Sequence, residues 1–303
     1  MAVPAKYTGV FPAFYACYDD NGNISRERAS LLAEFYNKLG IPGLYVTGSS
    51  GECVFHTVEE RKATLEAVME AVGDKMTIIA HIAAPSTRDS IILAQHAESL
   101  GVDAIAMVPG FYYGLSVPVV RKYWNDVLDA TDAVPMFIYN IPGTTNGFNL
   151  PTGLFEEMLA TGRVAGVKNS SESVQDILRF RVAGGDDVAI FNGPDEQYLA
   201  GRLMGASGGI GGTYGYAPEL FLKLERLIHD GDISRAAALQ QQITDLIYRM
   251  LGTGSLYAGA KEVLRLRAIE IGDVRAPFLP LDDTGKAKVR EIYEEIQQLN
   301  DKF

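Results

Sequence analysis

The sequence has little cysteine and no long apolar segment. Of its 303 residues, only Cys17 and Cys53 are cysteines, which is too few for the disulfide framework of a small secreted protein. No uninterrupted apolar stretch approaches the roughly 18 residues that a membrane span needs, and residues 1–20 lack the apolar centre of a signal peptide. We therefore expect a cytoplasmic protein with no membrane partner.

Positive charge and paired histidines are also scarce. Asp and Glu number 38 against 27 Lys and Arg, which gives a formal net charge of −11. Binding to a phosphate backbone depends on clustered cations, so we expect no nucleic-acid partner. The four histidines, His56, His81, His96 and His229, form no H-x-H or H-x-x-x-H pair, and we therefore expect no metal site.

What is present is a regular alternation of short β-type runs and longer helical patterns. The spacing of these runs, about thirty residues, is typical of βαβ units and a parallel sheet. The runs predicted to be strands are residues 9–16, 43–48, 76–82, 103–109, 135–140, 164–168, 188–193 and 207–212.

The helical patterns between the runs carry start signals of their own. Thr57 and Glu60 form a capping-box pattern, and apolar residues then recur at helical spacing. Segments 26–39, 87–100 and 117–130 are similar. Eight such strand–helix units predict an α/β fold, a (β/α)8 TIM barrel. The alternative is an open doubly wound sheet, which usually carries a G-x-G-x-x-G turn after its first strand, and the sequence has none there.

Beyond residue 230 the pattern changes. Segments 232–252, 255–271 and 283–300 are helical with no β-type run between them. We therefore predict a catalytic barrel over residues 1–230 and a three-helix C-terminal extension over residues 231–303.

Polar side chains collect where the predicted strands end. In a (β/α)8 barrel the active site is built at the carboxyl ends of the strands. The residues that stand there are Ser49, Ser50, Tyr139, Lys168, Asp195 and Glu196. Burial favours the neutral form of a lysine amine, and a neutral amine attacks a ketone to form a Schiff base. Lys168 is thus predicted to be a nucleophile.

Each of these residues also has an ordinary structural interpretation. Lys168 and Tyr139 can be rim residues, and Ser49 and Ser50 can be turn formers. Asp195 and Glu196 suit the first turn of a helix. Residues 208–215, "GGIGGTYG", can form a phosphate cradle or a close backbone contact. The concurrence of a lysine, a tyrosine and a serine pair at strand ends favours catalysis.

Five stretches of the sequence carry a family resemblance. They are "GLYVTGSSGECVFHTVEER" (43–61), "FYY" (111–113), "YNIPGTTNGFNL" (139–150), "GVKNSSES" (166–173) and "FNGPDEQYLAGRLMGASGGIGGTYG" (191–215). Together these motifs resemble the dihydrodipicolinate synthase / N-acetylneuraminate lyase family. The resemblance implies a (β/α)8 barrel with three extra helices, a homotetramer, and pyruvate chemistry through a lysine Schiff base with no cofactor and no metal.

The resemblance also implies residue roles. Lys168 matches the Schiff-base lysine and Tyr139 the tyrosine that relays a proton. Ser49 and Ser50 match the hydroxyl pair that holds the pyruvyl carboxylate. Either Tyr112 or Tyr113 matches the tyrosine that sits near a neighbouring subunit's site.

The branch of the family is indicated by a few positions. The synthase branch usually has an arginine where this chain has Thr144. The "NGxDE" pattern of the lyase branch is matched by Gly193, Asp195 and Glu196, and Ser170 stands where that branch has threonine. We therefore expect a lyase that cleaves N-acetylneuraminate into N-acetylmannosamine and pyruvate. The alternatives are dihydrodipicolinate synthase and a 2-keto-3-deoxy sugar acid aldolase.

The sequence departs from the lyase branch at one position, and two other functional classes of barrel protein stay open. Gly212 stands where the lyase branch has a serine, which keeps a different or shorter sugar acid open. Outside this chemistry, the alternatives are a metal-dependent barrel enzyme and a non-catalytic binding barrel. Trapping pyruvate on Lys168 with borohydride distinguishes the three classes.

Overall fold

The sheet is made of short parallel strands. The structure, a computed structural model, describes residues 2–303. Within these residues there are eight strands: β1 (Gly9–Pro12), β2 (Gly43–Val46), β3 (Thr77–His81), β4 (Ala104–Met107), β5 (Met136–Asn140), β6 (Val164–Asn169), β7 (Ala189–Asn192) and β8 (Gly208–Gly211). Their order is β1-β8-β7-β6-β5-β4-β3-β2.

Closure of this order makes the sheet a barrel. A parallel bridge between Ala13 and Tyr45 connects the chain just after β1 to β2, which are the two ends of the order. Strands that follow one another in sequence are therefore neighbours all the way round. The predicted (β/α)8 barrel is confirmed, and the doubly wound sheet is excluded.

Helices fill the connections between the strands and continue beyond the last of them. In the part of the chain that the structure describes they are α1 (Arg26–Lys38), α2 (Val58–Val72), α3 (Thr87–Ser99), α4 (Val117–Leu128), α5 (Thr152–Leu159), α6 (Gln175–Gly184), α7 (Tyr198–Leu203), α8 (Thr213–Tyr216), α9 (Pro218–His229), α10 (Ile233–Leu251), α11 (Leu256–Leu266) and α12 (Asp283–Lys302). The predicted capping box of Thr57 and Glu60 at the start of α2 is present. Helices α10 to α12 are the three predicted after residue 230, whereas the domain boundary there stays a prediction.

One compact unit comprises residues 2–9 and 77–210. It contains β3 to β7, whose ladders are all parallel. Phe137 and Phe191, on β5 and β7, pack with ring centres 5.5 Å apart. Strand residues that are fully buried form its core: Ile79, Ile105, Phe137, Val167 and Ile190.

The other compact unit comprises residues 10–76 and 211–303. It contains β2, α1, α2 and the helices from α8 to α12. The Tyr36 hydroxyl on α1 donates to the carbonyl oxygen of Gly215 at 2.8 Å, so residues far apart in sequence share one interior. Its fully buried apolar side chains include Leu32, Leu44, Val68, Leu239, Val263 and Ile296.

The first strand and the second C-terminal helix are shorter than their sequence patterns predict. Residues 13–16 are buried, but only Ala13 makes a bridge, so an apolar run continues where the ladder has ended. Helix α11 ends at Leu266 because Ala268 has a left-handed backbone with φ of 61°. Apolar periodicity reports burial, and it does not by itself mark where backbone pairing stops.

Candidate active site

Lys168 and Tyr139 lie side by side on neighbouring strands. The ladder between β5 and β6 pairs these two residues directly, so their side chains leave the sheet on the same face. Tyr139 is 3% exposed and Lys168 is 4% exposed. The Nζ of Lys168 lies 4.0 Å from the centre of the Tyr139 ring. A buried amine is therefore held against an aromatic face, next to the hydroxyl-bearing side chain predicted to act with it.

Aromatic rings pack around Tyr139. His81, a buried residue at the end of β3, meets Tyr139 edge to face, with ring centres 6.1 Å apart and planes at 86°. Phe111 in turn meets His81 with ring centres 6.5 Å apart. These contacts restrict the orientation of the Tyr139 ring. The sequence predicted no role for His81 or Phe111 at the site, because nothing in their spacing connects them to Tyr139.

Ser170 and Gly193 adjoin each other just beyond β6 and β7. The amide of Gly193 donates to the carbonyl oxygen of Asn169 at 2.7 Å. A Cβ built on Gly193 would lie 2.0 Å from the Ser170 Oγ, so only glycine fits there. Asp195, which is buried, and the half-buried Glu196 begin the 3₁₀ turn that follows. The predicted "NGxDE" residues thus include a glycine that is in close backbone contact at the end of β7, and the two acidic residues follow it in the chain.

Ser49 and Ser50 occupy a tight turn that follows β2. The amide of Glu52 donates to the carbonyl oxygen of Ser49 at 3.0 Å. Thr47 and Glu52, on either side of the pair, have left-handed backbones with φ of 58° and 51°. Ser50 is buried and Ser49 is exposed. Successive residues in such a turn can present several hydroxyl and amide donors to one anion.

Gly212 lies beside this turn. Its carbonyl oxygen accepts a hydrogen bond of 2.6 Å from the Tyr15 hydroxyl. Gly212 has φ of −74°, and a Cβ there would meet the Ser50 Oγ at 3.4 Å. Neither the backbone nor the available space requires glycine. The hydroxyl expected from the lyase branch is therefore absent without a steric reason, next to a predicted ligand-binding serine.

Comparison with known proteins identifies the family of the chain. The dihydrodipicolinate synthetase family matches residues 6–296. The chain belongs to this family. The resemblance based on the sequence motifs is therefore confirmed.

Relatives of this member of the dihydrodipicolinate synthetase family include lyases of sialic acid. The chain is 46% identical over 300 residues to an N-acetylneuraminate lyase of Mediterraneibacter gnavus, covering 98% of this chain and 95% of that protein. It is 35% identical to an N-acetylneuraminate lyase of Rhizobium meliloti, with 94% of each covered.

Solved structures agree with these relatives. Wild-type Ruminococcus gnavus sialic acid aldolase matches with a TM-score of 0.96 and 46% identity, covering 98% of this chain and 99% of that one. A catalytic lysine mutant of the Ruminococcus gnavus aldolase matches with a TM-score of 0.98 and 45% identity over all of both chains.

The other predicted positions of this family member lie on exposed turns. Thr144 ends a 3₁₀ turn, Pro142–Thr144, and is exposed. Tyr112 and Tyr113 are 85% and 73% exposed, and their rings meet edge to face with centres 5.0 Å apart. Tyr112 has a left-handed backbone with φ of 62°. Two large exposed aromatic residues on a constrained turn suit contact with another surface.

Two features of the described chain bear on metals and membranes. Nowhere in residues 2–303 do three His, Cys, Asp or Glu side chains lie close enough together to hold a metal ion. Of the helices within the same residues, none combines the length and the apolar character that crossing a bilayer requires.

A buried ion pair anchors the serine turn, and the sequence did not predict it. The Nζ of Lys261, on α11, lies 2.9 Å from the Oε1 of Glu52, and the two side chains are 1% and 0% exposed. The Oε2 of Glu52 accepts from the Tyr18 hydroxyl at 3.1 Å and from the Arg275 amide at 3.0 Å. Because Glu52 closes the turn that holds Ser49, a C-terminal helix supports the predicted carboxylate site.

Burial changes the acid–base chemistry of this cluster. Desolvation lowers the pKa of Lys261, although the Glu52 carboxylate opposes the change. Desolvation also lowers the pKa of His56 to about 4, so the imidazole that lies 2.6 Å from the Tyr18 hydroxyl is neutral at neutral pH. Because the Nζ of Lys261 and the Oε1 of Glu52 lie 2.9 Å apart in a dry interior, the pair cannot lose one member without leaving a buried polar group unmatched.

Breaking this pair should destabilise the fold strongly. We expect Lys261→Met to lower the free energy of unfolding by about 3–5 kcal/mol, since it leaves Glu52 buried without its cation. Urea denaturation followed by circular dichroism measures the loss. The double variant Glu52→Gln with Lys261→Met should lose less than the sum of the two single variants.

An exposed pair provides the matched control. Lys122 and Asp126 form an ion pair on α4, with exposed fractions of 74% and 37%. Lys122→Met should change the free energy of unfolding by about 0.5 kcal/mol or less. If Lys261→Met were as mild as Lys122→Met, the anchoring role of the buried pair would be wrong.

Proposed function

We propose that this chain is a Schiff-base lyase that cleaves N-acetylneuraminate into N-acetylmannosamine and pyruvate. The observation that carries the proposal is the buried Lys168 amine, 4.0 Å from the centre of the Tyr139 ring on the adjoining strand. The support from comparison is 46% identity to an N-acetylneuraminate lyase over 98% of the chain.

In the proposed reaction Lys168 is the nucleophile. Its amine adds to the C2 carbonyl of the open-chain sugar acid, and water leaves to give an iminium ion. Tyr139 accepts the proton of the C4 hydroxyl while its own phenolic proton passes to the substrate carboxylate, the C3–C4 bond breaks, and the electron pair moves into the iminium to give an enamine. N-acetylmannosamine leaves as an aldehyde. The enamine then takes a proton at C3, and water hydrolyses the imine, which releases pyruvate and restores the amine.

Ser49 and Ser50 are proposed to hold the substrate carboxylate. With a net charge of −11, the protein repels anions at long range, so a carboxylate has to be bound by local hydrogen-bond donors. Turn hydroxyls and amides supply such donors without adding a charge that would compete with the iminium.

Gly193, Asp195, Glu196 and Ser170 are proposed to bind the sugar portion. The carboxylates of Asp195 and Glu196 accept hydrogen bonds from hydroxyl groups, and they repel a second acidic group on the substrate. Thr144 offers no guanidinium for such a group. Both features favour a polyol over aspartate semialdehyde.

Substrate preference tests the assignment. We expect kcat/KM for N-acetylneuraminate cleavage to exceed that for condensation of pyruvate with aspartate semialdehyde by about 10²-fold or more, since a site built for hydroxyls discriminates against a substrate that lacks them. Pyruvate release measures the first reaction, and formation of the cyclic product measures the second.

The controls are chemical and genetic. Lys168→Ala should remove every one of these reactions, which excludes a contaminating enzyme. Faster condensation than cleavage would move the chain to the synthase branch. A better rate with a 2-keto-3-deoxy sugar acid would favour the second alternative, for which the missing hydroxyl at Gly212 is the supporting observation.

Assembly and location complete the proposal. We propose a homotetramer in which Tyr112 or Tyr113 reaches a neighbouring subunit, on the basis of their exposure and their constrained turn. We also propose a cytoplasmic location, in agreement with the low cysteine content.

A further inference from the structure

Three strands of the barrel end in buried asparagines that lie in register. Asn140 on β5 pairs with Asn169 on β6, and Asn169 pairs with Asn192 on β7. Their exposed fractions are 1%, 0% and 0%. Successive side chains of a strand point to opposite faces. Asn140 and Asn169 therefore lie on the face opposite to Tyr139 and Lys168, the residues that directly precede them.

The first two asparagines are joined by their side chains. The Nδ2 of Asn140 donates to the Oδ1 of Asn169 at 2.7 Å. The Nδ2 of Asn169 donates to the Ser171 Oγ at 2.9 Å, and that hydroxyl donates to the Oδ2 of Asp176 at 2.7 Å. A continuous chain of short hydrogen bonds thus runs from the end of β5, through the end of β6, to a buried carboxylate at the start of α6.

Further bonds tie the loop after β5 into the same chain. The Nδ2 of Asn140 also donates to the Oδ1 of Asn149 at 2.8 Å, and its Oδ1 accepts from the Leu150 amide at 2.9 Å. Asp176 is fixed in turn by Arg179, whose Nη2 lies 3.3 Å from its Oδ1. Buried polar networks whose members are all bonded hold one arrangement and make departures from it costly.

The backbone ladder between β5 and β6 is not regular along its whole length, so it does not by itself fix how the two strands lie against each other. The pairing of β5 with β6 is irregular at its start, where Met136 pairs with Val164 but Phe137 pairs with Gly166. Such a bulge disrupts the ladder locally and increases the twist. The side-chain bond between Asn140 and Asn169 therefore fixes the two strands at the end where Tyr139 and Lys168 stand.

We infer that Asn140 and Asn169 are positioning residues that set the separation of Tyr139 and Lys168. The inference rests on the proposed function, because it assigns these asparagines to the geometry of that reaction. Proton transfer and C–C cleavage need the tyrosine and the iminium in place together, whereas imine formation with pyruvate depends mainly on the amine. Loss of the network should therefore affect turnover more than trapping.

The test compares Asn169→Ala and Ser171→Ala with a matched control. Ser207→Ala removes a buried hydroxyl that accepts from the Ile190 amide at 3.0 Å, at the amino-terminal ends of β7 and β8. For each variant we measure kcat and KM for N-acetylneuraminate, the fraction of Lys168 trapped by borohydride with saturating pyruvate, and the urea midpoint.

The expected result is a loss of kcat without a loss of trapping. Asn169→Ala should lower kcat by about 10²-fold, the scale on which an ångström of misplacement acts, while the trapped fraction stays within about twofold of the Ser207→Ala value. Ser171→Ala, a smaller change that leaves the bond between Asn140 and Asn169, should lower kcat by about tenfold on the same scale. If Asn169→Ala does not fold, Ser171→Ala serves as the test of the positioning role.

Two results would overturn the inference. The first is a kcat of Asn169→Ala, or of Ser171→Ala if Asn169→Ala does not fold, that lies less than about threefold below the kcat of Ser207→Ala. Such a loss would be too small for misplaced reacting groups. The second is a fall in the trapped fraction that matches the fall in kcat, which would show a structural role only. If the wild-type enzyme forms no adduct on Lys168, the proposed function fails and this inference fails with it. An adduct on the wild type, together with either negative result, removes the inference alone.

Discussion

Lys168→Ala should abolish cleavage of N-acetylneuraminate and leave the fold intact. The variant loses the only atom that forms the proposed covalent bond, and loss of a catalytic nucleophile lowers kcat by roughly 10⁶-fold. The substitution shortens a side chain that is 4% exposed and removes a buried amine, so the circular dichroism spectrum and the urea midpoint should stay close to those of the wild type. Pyruvate release in a coupled assay measures the loss.

Mass spectrometry locates the covalent bond. After incubation with pyruvate and borohydride, a proteolytic digest of the wild type should carry the reduced adduct on Lys168, and the variant should carry none. Lys168→Arg is the matched control, because it keeps a long nitrogen-bearing side chain at the site but a guanidinium is not a nucleophile. Turnover by either variant, or an adduct on another lysine, would contradict the assignment.

The architecture was predictable because local signals repeat along the chain. Each strand–helix unit carries its own apolar run, the first three helices also begin at a capping side chain, as at Thr57 and Glu60, and the parallel sheet follows from the repetition. Lys168 and Tyr139 were predictable for a related reason. Both end apolar runs, and the ends of parallel strands converge in a barrel.

The supporting contacts were not predictable, because they join residues that are distant in the sequence. Glu52 and Lys261 are 209 residues apart, and the sequence around neither residue contains a pattern that indicates an ion-pair partner. Asn140 and Asn169 are 29 residues apart, and their bond depends on a register that includes a bulge. Sequence patterns identify the residues with reactive groups more readily than the residues that hold them in place.

The residues predicted to be catalytic and those predicted to hold the carboxylate stand on different kinds of backbone. Lys168 and Tyr139 stand on strands, where packing and the ladder limit movement, and this suits the proposed bond-breaking chemistry. Ser49 and Ser50 stand on a turn with left-handed residues on either side, and a turn of this kind can present several hydrogen-bond donors. A buried ion pair compensates by fixing the end of that turn.

Tyr139→Phe should separate the packing role of the ring from the chemistry of its hydroxyl. Phenylalanine keeps the edge-to-face contact with His81 and the ring beneath the Lys168 amine. It loses the hydroxyl that is proposed to take the proton from the C4 hydroxyl of the substrate. We expect kcat to fall by roughly 10²–10⁴-fold, the range for loss of a general acid–base group. Steady-state cleavage of N-acetylneuraminate measures it.

Trapping and a second tyrosine complete this experiment. Pyruvate should still be trapped on Lys168 in Tyr139→Phe, because the amine remains. Tyr7→Phe is the matched control, since it removes a hydroxyl that donates to the carbonyl oxygen of Asp103 at 2.7 Å, and its kcat should stay within about twofold of the wild type because that hydroxyl takes no part in proton transfer. Near-normal turnover in Tyr139→Phe would mean that the proton leaves by another route, with the substrate carboxylate and a water molecule as the remaining acceptors. Tyr139 would then serve as an aromatic wall for Lys168, and its hydroxyl would have no part in breaking the C–C bond.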